Sequence, residues 1–243
     1  MRTEIYVQAR MGSTRLPGKI LKPIMDKPML HYLVERLKRV TKANASVILT
    51  STNVSDDVVV EFCEQENIPF FRGSENDVLA RYYAAAFERK PDIIVRLTAD
   101  CPLLEPEIID SAIKTFKKES KCDYVSTLLD KRTLPRGLDV EVFSYKALEK
   151  TFQEAIKPEE REHVTPYIYW HPELFKLKSI KYPKDYSQYR LTVDTKEDFL
   201  LIEKIYEILY PVKPNFNFQD VIDLLEHQPA LVLINAHIQQ KAL

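Results

Sequence analysis

The sequence predicts an α/β protein built on a mostly parallel sheet with helices on both faces. Three observations predict it. Short apolar runs alternate with helical periodicity through the first half of the chain. The segments that carry small and charged residues follow those apolar runs, at the sheet edge where such folds bind ligands. The first of these segments, residues 9–19, holds two of the chain's four glycines.

Residues 5–8 read as the first strand. Met29, Leu30, Leu33, Val34 and Leu37 recur at helical spacing, so 28–40 is an amphipathic helix. Pro28 suits its first turn, where the missing N–H is not needed. A strand follows at 47–50, then a helix at 55–67 with Ser55 as its candidate cap. A short strand at 68–71 leads into a loop at 72–76. The helix at 77–89 has Val78, Leu79, Tyr82 and Ala86 on one face. A strand at 92–97 and a helix at 106–119 complete the alternation. The second half is less regular. Strands are expected at 123–128 and 139–143, flanking a loop with Pro135 and Gly137. A helix is expected at 160–170, a β element at 174–180, and helices at 195–210, 217–226 and 229–240. No repeat or composition shift marks a linker. The expectation is one domain over 1–243, with a small β-rich extension at about 130–180 that could also carry a subunit interface.

A chain of 243 residues can bury a substantial core, and 45% hydrophobic with 29% charged residues suits a soluble globular protein. A net charge of −1 argues against nucleic-acid binding. The three cysteines have no Cys-x-x-Cys spacing, which argues against a zinc site or a disulfide framework and suits a reducing, cytoplasmic setting. No signal-peptide pattern is apparent, and no apolar stretch approaches the roughly 20 residues that span a bilayer, so no membrane partner is expected.

Five segments carry chemistry. Ala9-Arg10-Met11-Gly12-Ser13-Thr14-Arg15-Leu16-Pro17-Gly18-Lys19 joins small residues, hydroxyls and cations directly after a strand. Backbone N–H groups approach an anion only where side chains are small, and Arg10, Arg15 and Lys19 supply charge. Five residues separate Gly12 from Gly18 and Ile20 follows Lys19, so this is not a Walker A loop. In Thr98-Ala99-Asp100-Cys101-Pro102, Asp100 either ligates Mg²⁺ or caps the next turn. Cys101 reads as a small buried residue. Asp194, after Arg190-Leu191-Thr192-Val193, could share that metal; Asp198 suits the first turn of the next helix or the same ion. Gly73 and Ser74 could let backbone reach a nucleobase edge, with Asp77 as a helix cap and Arg81 pointing at a ligand or into solvent. Arg136, in Pro135-Arg136-Gly137-Leu138-Asp139-Val140-Glu141, could clamp a carboxylate. His163 is either a packed residue or a catalyst.

Together these segments resemble the cytidylyltransferases that make CMP-activated acid sugars, and most closely the spore coat polysaccharide biosynthesis protein F family, related to CMP-Kdo and CMP-sialic acid synthetases. The resemblance runs through Gln8–Lys19, Gly73-Ser74, Thr98–Pro102, Arg136-Gly137-Leu138-Asp139-Val140-Glu141-Val142-Phe143, Arg161-Glu162-His163-Val164-Thr165 and Val193-Asp194-Thr195. It implies a Rossmann-like nucleotide-diphospho-sugar transferase fold, CTP, Mg²⁺ and a homodimer. By that likeness Ala9, Arg10, Met11, Gly12, Ser13, Thr14, Arg15 and Lys19 hold the triphosphate, with Thr98 also near the nucleotide and Gly73 and Ser74 near cytosine. Asp100 and Asp194 hold the metal, and Arg136, Asp139, Glu141 and His163 meet the acid sugar. Arg10, Arg15, Lys19 and Asp100 are the expected catalytic groups. Two rival readings stand beside this one, a sugar-1-phosphate nucleotidyltransferase using another NTP and a non-catalytic nucleotide-binding homologue.

Overall fold

A computed structural model describes residues 1–119 and 122–240. The elements in order are β1 (Thr3–Gln8), β2 (Pro23–Ile24), β3 (Lys27–Pro28), α1 (Met29–Leu37), β4 (Ala45–Ser51), α2 (Asp57–Gln65), β5 (Phe70–Gly73), α3 (Val78–Arg89), β6 (Ile93–Thr98) and α4 (Pro106–Lys118). Then come β7 (Tyr124–Ser126), β8 (Glu141–Ser144), α5 (Tyr145–Glu154), α6 (Pro158–His163), α7 (Pro166–Trp170), β9 (Leu177–Ser179), α8 (Lys196–Leu209), α9 (Phe218–His227) and α10 (Pro229–Val232).

Seven strands form one sheet in the order β5-β4-β1-β6-β8-β7-β9. β1, β4, β5 and β6 run parallel, and β8 is antiparallel to both β6 and β7. The chain leaves β1 for β4 on one side and later returns to β6 on the other. The carboxyl ends of β1 and β6 therefore flank a switch point, the crevice where open α/β sheets bind ligands. Alternate residues feed two cores. Ile5 and Val7 of β1 join Val95 and Leu97 of β6 under α1, α4 and α8, while Tyr6 and Ile94 face α3 and α5.

Local chemistry sets the helix starts near the crevice. Asp77 Oδ1 accepts from Ala80 N at 2.9 Å and caps α3. Thr195 and Asp198 form a capping box on α8. Ser144 caps α5, a helix the sequence reading missed.

The second half departs from expectation in three places. The single helix expected at 160–170 is two, because buried Val164 takes φ +72° and Pro166 starts a new first turn. The region expected as a β-rich extension instead adds β8 and β9 to the main sheet together with α5, α6 and α7. The expected helix at 229–240 is regular only over Pro229–Val232. Among the described residues no helix is long and apolar enough to cross a membrane.

Candidate active site

The loop after β1 is a fixed scaffold. Ala9 N continues the sheet ladder to Leu49 O at 3.0 Å. Met11 N then donates to Asp56 Oδ1 at 2.7 Å, and Met11 O accepts from Ser13 N at 2.8 Å and Gly18 N at 3.1 Å. Gly18 adopts φ +68°, which glycine takes without strain. Leu16 and Ile20 are buried and anchor the loop from below. Among the described residues the N–H groups of Gly12, Thr14 and Arg15 donate to no protein acceptor. They belong to the rim of a cavity of about 280 Å³. The same cavity is lined by Arg10, Ser13 and Lys19 from this loop, by Thr98 and Asp100 after β6, and by His163 and Asp194. Unpaired donors beside three cations are chemistry that can receive an anion.

Two carboxylates meet on the floor of this cavity. Val193 N donates to Asp100 O at 2.8 Å, and Leu191 N donates to Arg136 O at 2.7 Å. These bonds draw the extended segment 190–194 alongside the end of β6. Lys19 Nζ then lies 2.9 Å from Asp100 Oδ2, 3.0 Å from Asp194 Oδ1 and 2.6 Å from Val193 O. Burial favours the neutral form of Lys19, but the two carboxylates outweigh it and raise its pKa above the ordinary value. Burial likewise opposes ionisation of Asp100; attraction to Lys19, with hydrogen bonds from Thr98, Lys19 and Cys101, holds its carboxyl below the ordinary value. Asp194 is shared further, with Arg15 at 3.1 Å and Arg190 at 2.8 Å.

Gly137 makes this assembly possible. Its φ is +101°, and a Cβ there would stand 2.5 Å from the carbonyl carbon of Leu191. Only glycine allows the 135–138 segment to lie against 190–192. Arg136 and Asp139 consequently flank the site without lining the cavity; Asp139 is paired with Arg132.

His163 ends α6, a helix tied to the first turn of α3 by Arg161, whose Nε and Nη2 reach Asp77 Oδ2 at 2.8 and 2.6 Å. Burial holds its imidazole below the ordinary pKa. The next residue, Val164, is β-branched with positive φ, a strained backbone position of the kind that accumulates at functional sites.

Several expectations need correction. Glu141 does not face the cavity. It is buried in β8 and engaged by Arg96, Tyr124 and the Thr165 hydroxyl, so it holds the sheet to the α6–α7 connection. Asp198 is fully buried and accepts from Arg190, Asn235 and the N–H groups of Asp194 and Thr195; helix capping, not metal binding, accounts for it. Gly73 and Ser74 lie outside the cavity lining, and Gly73 packs on Arg81: a Cβ there would stand 2.8 Å from Arg81 Cγ. Arg81 is fully buried, not solvated. Ala9 and Met11 support the loop from behind. Burial pushes the Cys101 thiol well above its ordinary pKa, as suits a packing residue.

The sequence reading gave no role to Asp56 or Arg190. Asp56 holds Met11 N and also the N–H and hydroxyl of Ser51, and Arg190 pins Asp194 to Asp198. The adjacent acidic pair Asp56-Asp57, just past β4, was the available signal for the first. Arg190 lay in the Asp194 segment, four residues before that aspartate.

The cytidylyltransferase family model matches residues 5–239. The chain is 38% identical over 241 residues to an uncharacterized protein of Methanocaldococcus jannaschii, covering 97% of this chain and 95% of the relative. It is 35% identical over 230 residues to the spore coat polysaccharide biosynthesis protein SpsF of Bacillus subtilis, covering 92% and 93%. The solved structure of a cytidylyltransferase from Leptospira borgpetersenii serovar Hardjo-bovis superposes with a TM-score of 0.91 at 35% identity, covering 100% of both chains.

Proposed function

Because the chain belongs to the cytidylyltransferase family, we propose that it transfers CMP from CTP to a hydroxyl of an acid sugar, a 2-keto-3-deoxy acid of the Kdo or sialic type, and releases pyrophosphate. The product would feed surface polysaccharide or glycoconjugate assembly. One observation carries the reading: Asp100 and Asp194 converge on one cation within 3.0 Å, on the floor of a cavity rimmed by Arg10, Arg15 and unpaired loop N–H groups.

The residues fit a magnesium ion. Among the described residues no group of three or more His, Cys, Asp or Glu side chains could hold a metal; at this cavity the Asp100–Asp194 pair would supply two carboxylates. Mg²⁺ is commonly held in this way, by one or two carboxylates with substrate phosphates and water completing the shell. When bound there, Mg²⁺ would polarise the α-phosphate and acidify the attacking hydroxyl.

The protein's own groups do the rest. The N–H groups of Gly12, Thr14 and Arg15 bind phosphate oxygens, and Arg10 and Arg15 neutralise the β- and γ-phosphates as pyrophosphate leaves. Lys19 moves from its two carboxylates to the phosphates. His163, whose charged form burial disfavours, would accept a hydrogen bond from the acid sugar, and Arg136, at the flank of the site, would meet the carboxylate. The acceptor hydroxyl attacks the α-phosphorus in line; the P–O bond to pyrophosphate breaks, and the hydroxyl proton passes to solvent or to His163. Alignment and charge neutralisation supply most of the rate. The working species would be a homodimer, which sedimentation would test.

The test is pyrophosphate release with CTP, UTP, ATP and GTP against Kdo, sialic, legionaminic and pseudaminic acids. CTP with one of these acids should support turnover. Turnover with UTP and a sugar 1-phosphate, and none with CTP, would overturn the assignment.

A further inference from the structure

The carboxylate of Asp194 divides its two oxygens between two environments. Oδ1 meets the cavity-lining cations, Lys19 Nζ at 3.0 Å and Arg15 Nη2 at 3.1 Å. Oδ2 accepts from Arg190 Nη2 at 2.8 Å. Arg190 is buried and lies outside the cavity lining, so it is placed to act on Asp194 and not on a phosphate. When nucleotide draws Lys19 and Arg15 onto its phosphates, Arg190 still holds the carboxylate from behind.

Arg190 is itself fixed by three residues. Its Nε donates to Asp198 Oδ1 at 2.8 Å and its Nη2 to Asp198 Oδ2 at 3.0 Å, a bidentate grip. Its Nη1 donates to Gln240 Oε1 at 2.7 Å. Asn235, also buried, donates from Nδ2 to Asp198 Oδ1 at 2.8 Å and to Arg190 O at 3.0 Å. The Asp194 N–H rests on Asp198 Oδ2 at 3.0 Å. The segment 190–194, the first turn of α8 and the chain after α10 thus converge behind one oxygen of one carboxylate. Capping α8 needs Asp198 but no arginine. Replacing a buried ion pair with apolar residues is often neutral or stabilising, so stability alone is a weak reason for this one.

Resting on the Asp100–Asp194 metal site proposed above, we infer that Arg190 is a positioning residue for that metal. It reserves Oδ2 of Asp194 and so presents Oδ1 alone, in a fixed direction, to the divalent cation. Hydrogen-bond partners of a ligating carboxylate orient it and tune its grip. Mg²⁺ demands near-ideal octahedral geometry, and one oxygen from Asp194 leaves positions for phosphate and water. Gripping with both oxygens belongs to the larger, more flexible shell of Ca²⁺.

Arg190→Met alone would strand the buried Asp198 charge, so the test joins it to Asp198→Asn. The pair removes one positive and one negative charge. Local net charge is unchanged, and the hold on Asp194 Oδ2 is lost. With protein in excess over CTP and no acid sugar present, Mn²⁺ binding is read from the electron paramagnetic resonance of the free ion. CTP binding in EDTA is measured by calorimetry. The double variant should bind Mn²⁺ about 10–100-fold more weakly than wild type, with CTP affinity in EDTA unchanged; a merely structural arginine would leave Mn²⁺ affinity where it was. In wild-type crystals with CTP and Mn²⁺, Asp194 should reach the ion through Oδ1 alone with Oδ2 still on Arg190 Nη2, a readout that holds even if the variant fails to fold. Equal Mn²⁺ affinity in the folded double variant, or an Asp194 that grips the ion with both oxygens, overturns this inference alone. A wild-type complex with no Mn²⁺ at Asp100 and Asp194 overturns the metal site and this inference with it.

Discussion

Replacing Lys19 with methionine keeps the side-chain volume and removes the ammonium that joins Asp100 to Asp194. Breaking a buried ion pair on one side costs about 3–5 kcal/mol. Two features reduce the cost here. The Asp100 side chain is 26% exposed, and Asp194 keeps Arg15 and Arg190. A loss of about 1–3 kcal/mol remains. In a chain of this size each kcal/mol moves Tm by about 2–4 °C, so Lys19→Met should melt about 2–12 °C lower. The pH dependence has a definite sign. The depressed Asp100 value contributes stability above the unfolded carboxylate pKa and loses it as pH falls through the folded one. The raised Lys19 value contributes below the unfolded lysine pKa and loses it as pH rises through the folded one. The gap between the two proteins should therefore be flat from about pH 5 to about pH 9 and close at both extremes. Magnesium without nucleotide should stabilise the variant, because two bare carboxylates remain, and leave wild type unchanged, because Lys19 stands between them; saturation at tenfold over Kd adds about 1.4 kcal/mol. Thermal melts across pH with and without Mg²⁺ measure all of this. Equal Tm values, or a magnesium response in wild type matching that of the variant, would refute the reasoning.

Two further predictions come from the same geometry. The imidazole of His163 is held below its ordinary value of 6.5, so in wild type kcat/KM should fall with acid only in a window below that value, where the ring gains its proton, and His163→Gln should flatten that limb. A pH–rate profile in which both proteins share the same limb would remove His163 from the reaction. Gly137→Ala forces a positive φ on alanine and a 2.5 Å contact with Leu191, so it should destabilise by about 3 kcal/mol or more and reduce turnover by displacing Asp194; a wild-type melting curve with wild-type turnover would contradict that.

The first half of the fold was legible because each element carries its own signal. The 3.6-residue spacing of Met29, Leu30, Leu33 and Leu37 and the strand–loop–helix order around Asp100 are local patterns. The loop after β1 was legible for the same reason, since small residues and cations sit together in one short stretch. The second half depends on tertiary contacts. Glu141 and Asp139 lie two residues apart and look alike in sequence, yet one is engaged by Arg96, Tyr124 and Thr165 in the core and the other pairs with Arg132 at the site's flank. The break at Val164 follows from packing that holds a β-branched residue at positive φ, against its intrinsic preference. Gly73 was read as a point of backbone approach to a base; in the structure it packs against Arg81, whose burial the sequence, which left it between a ligand and solvent, did not reveal.

The central claim is that the Asp100–Asp194 pair holds the reacting nucleotide's metal and not merely a lysine. Asp100→Asn changes one oxygen and leaves Asp194 with its two arginines. The deciding measurement is pyrophosphate release from CTP by this variant at saturating Mg²⁺ with the accepted acid sugar. The account predicts turnover at least about a hundredfold below wild type with the fold intact by circular dichroism; turnover equal to wild type would contradict it.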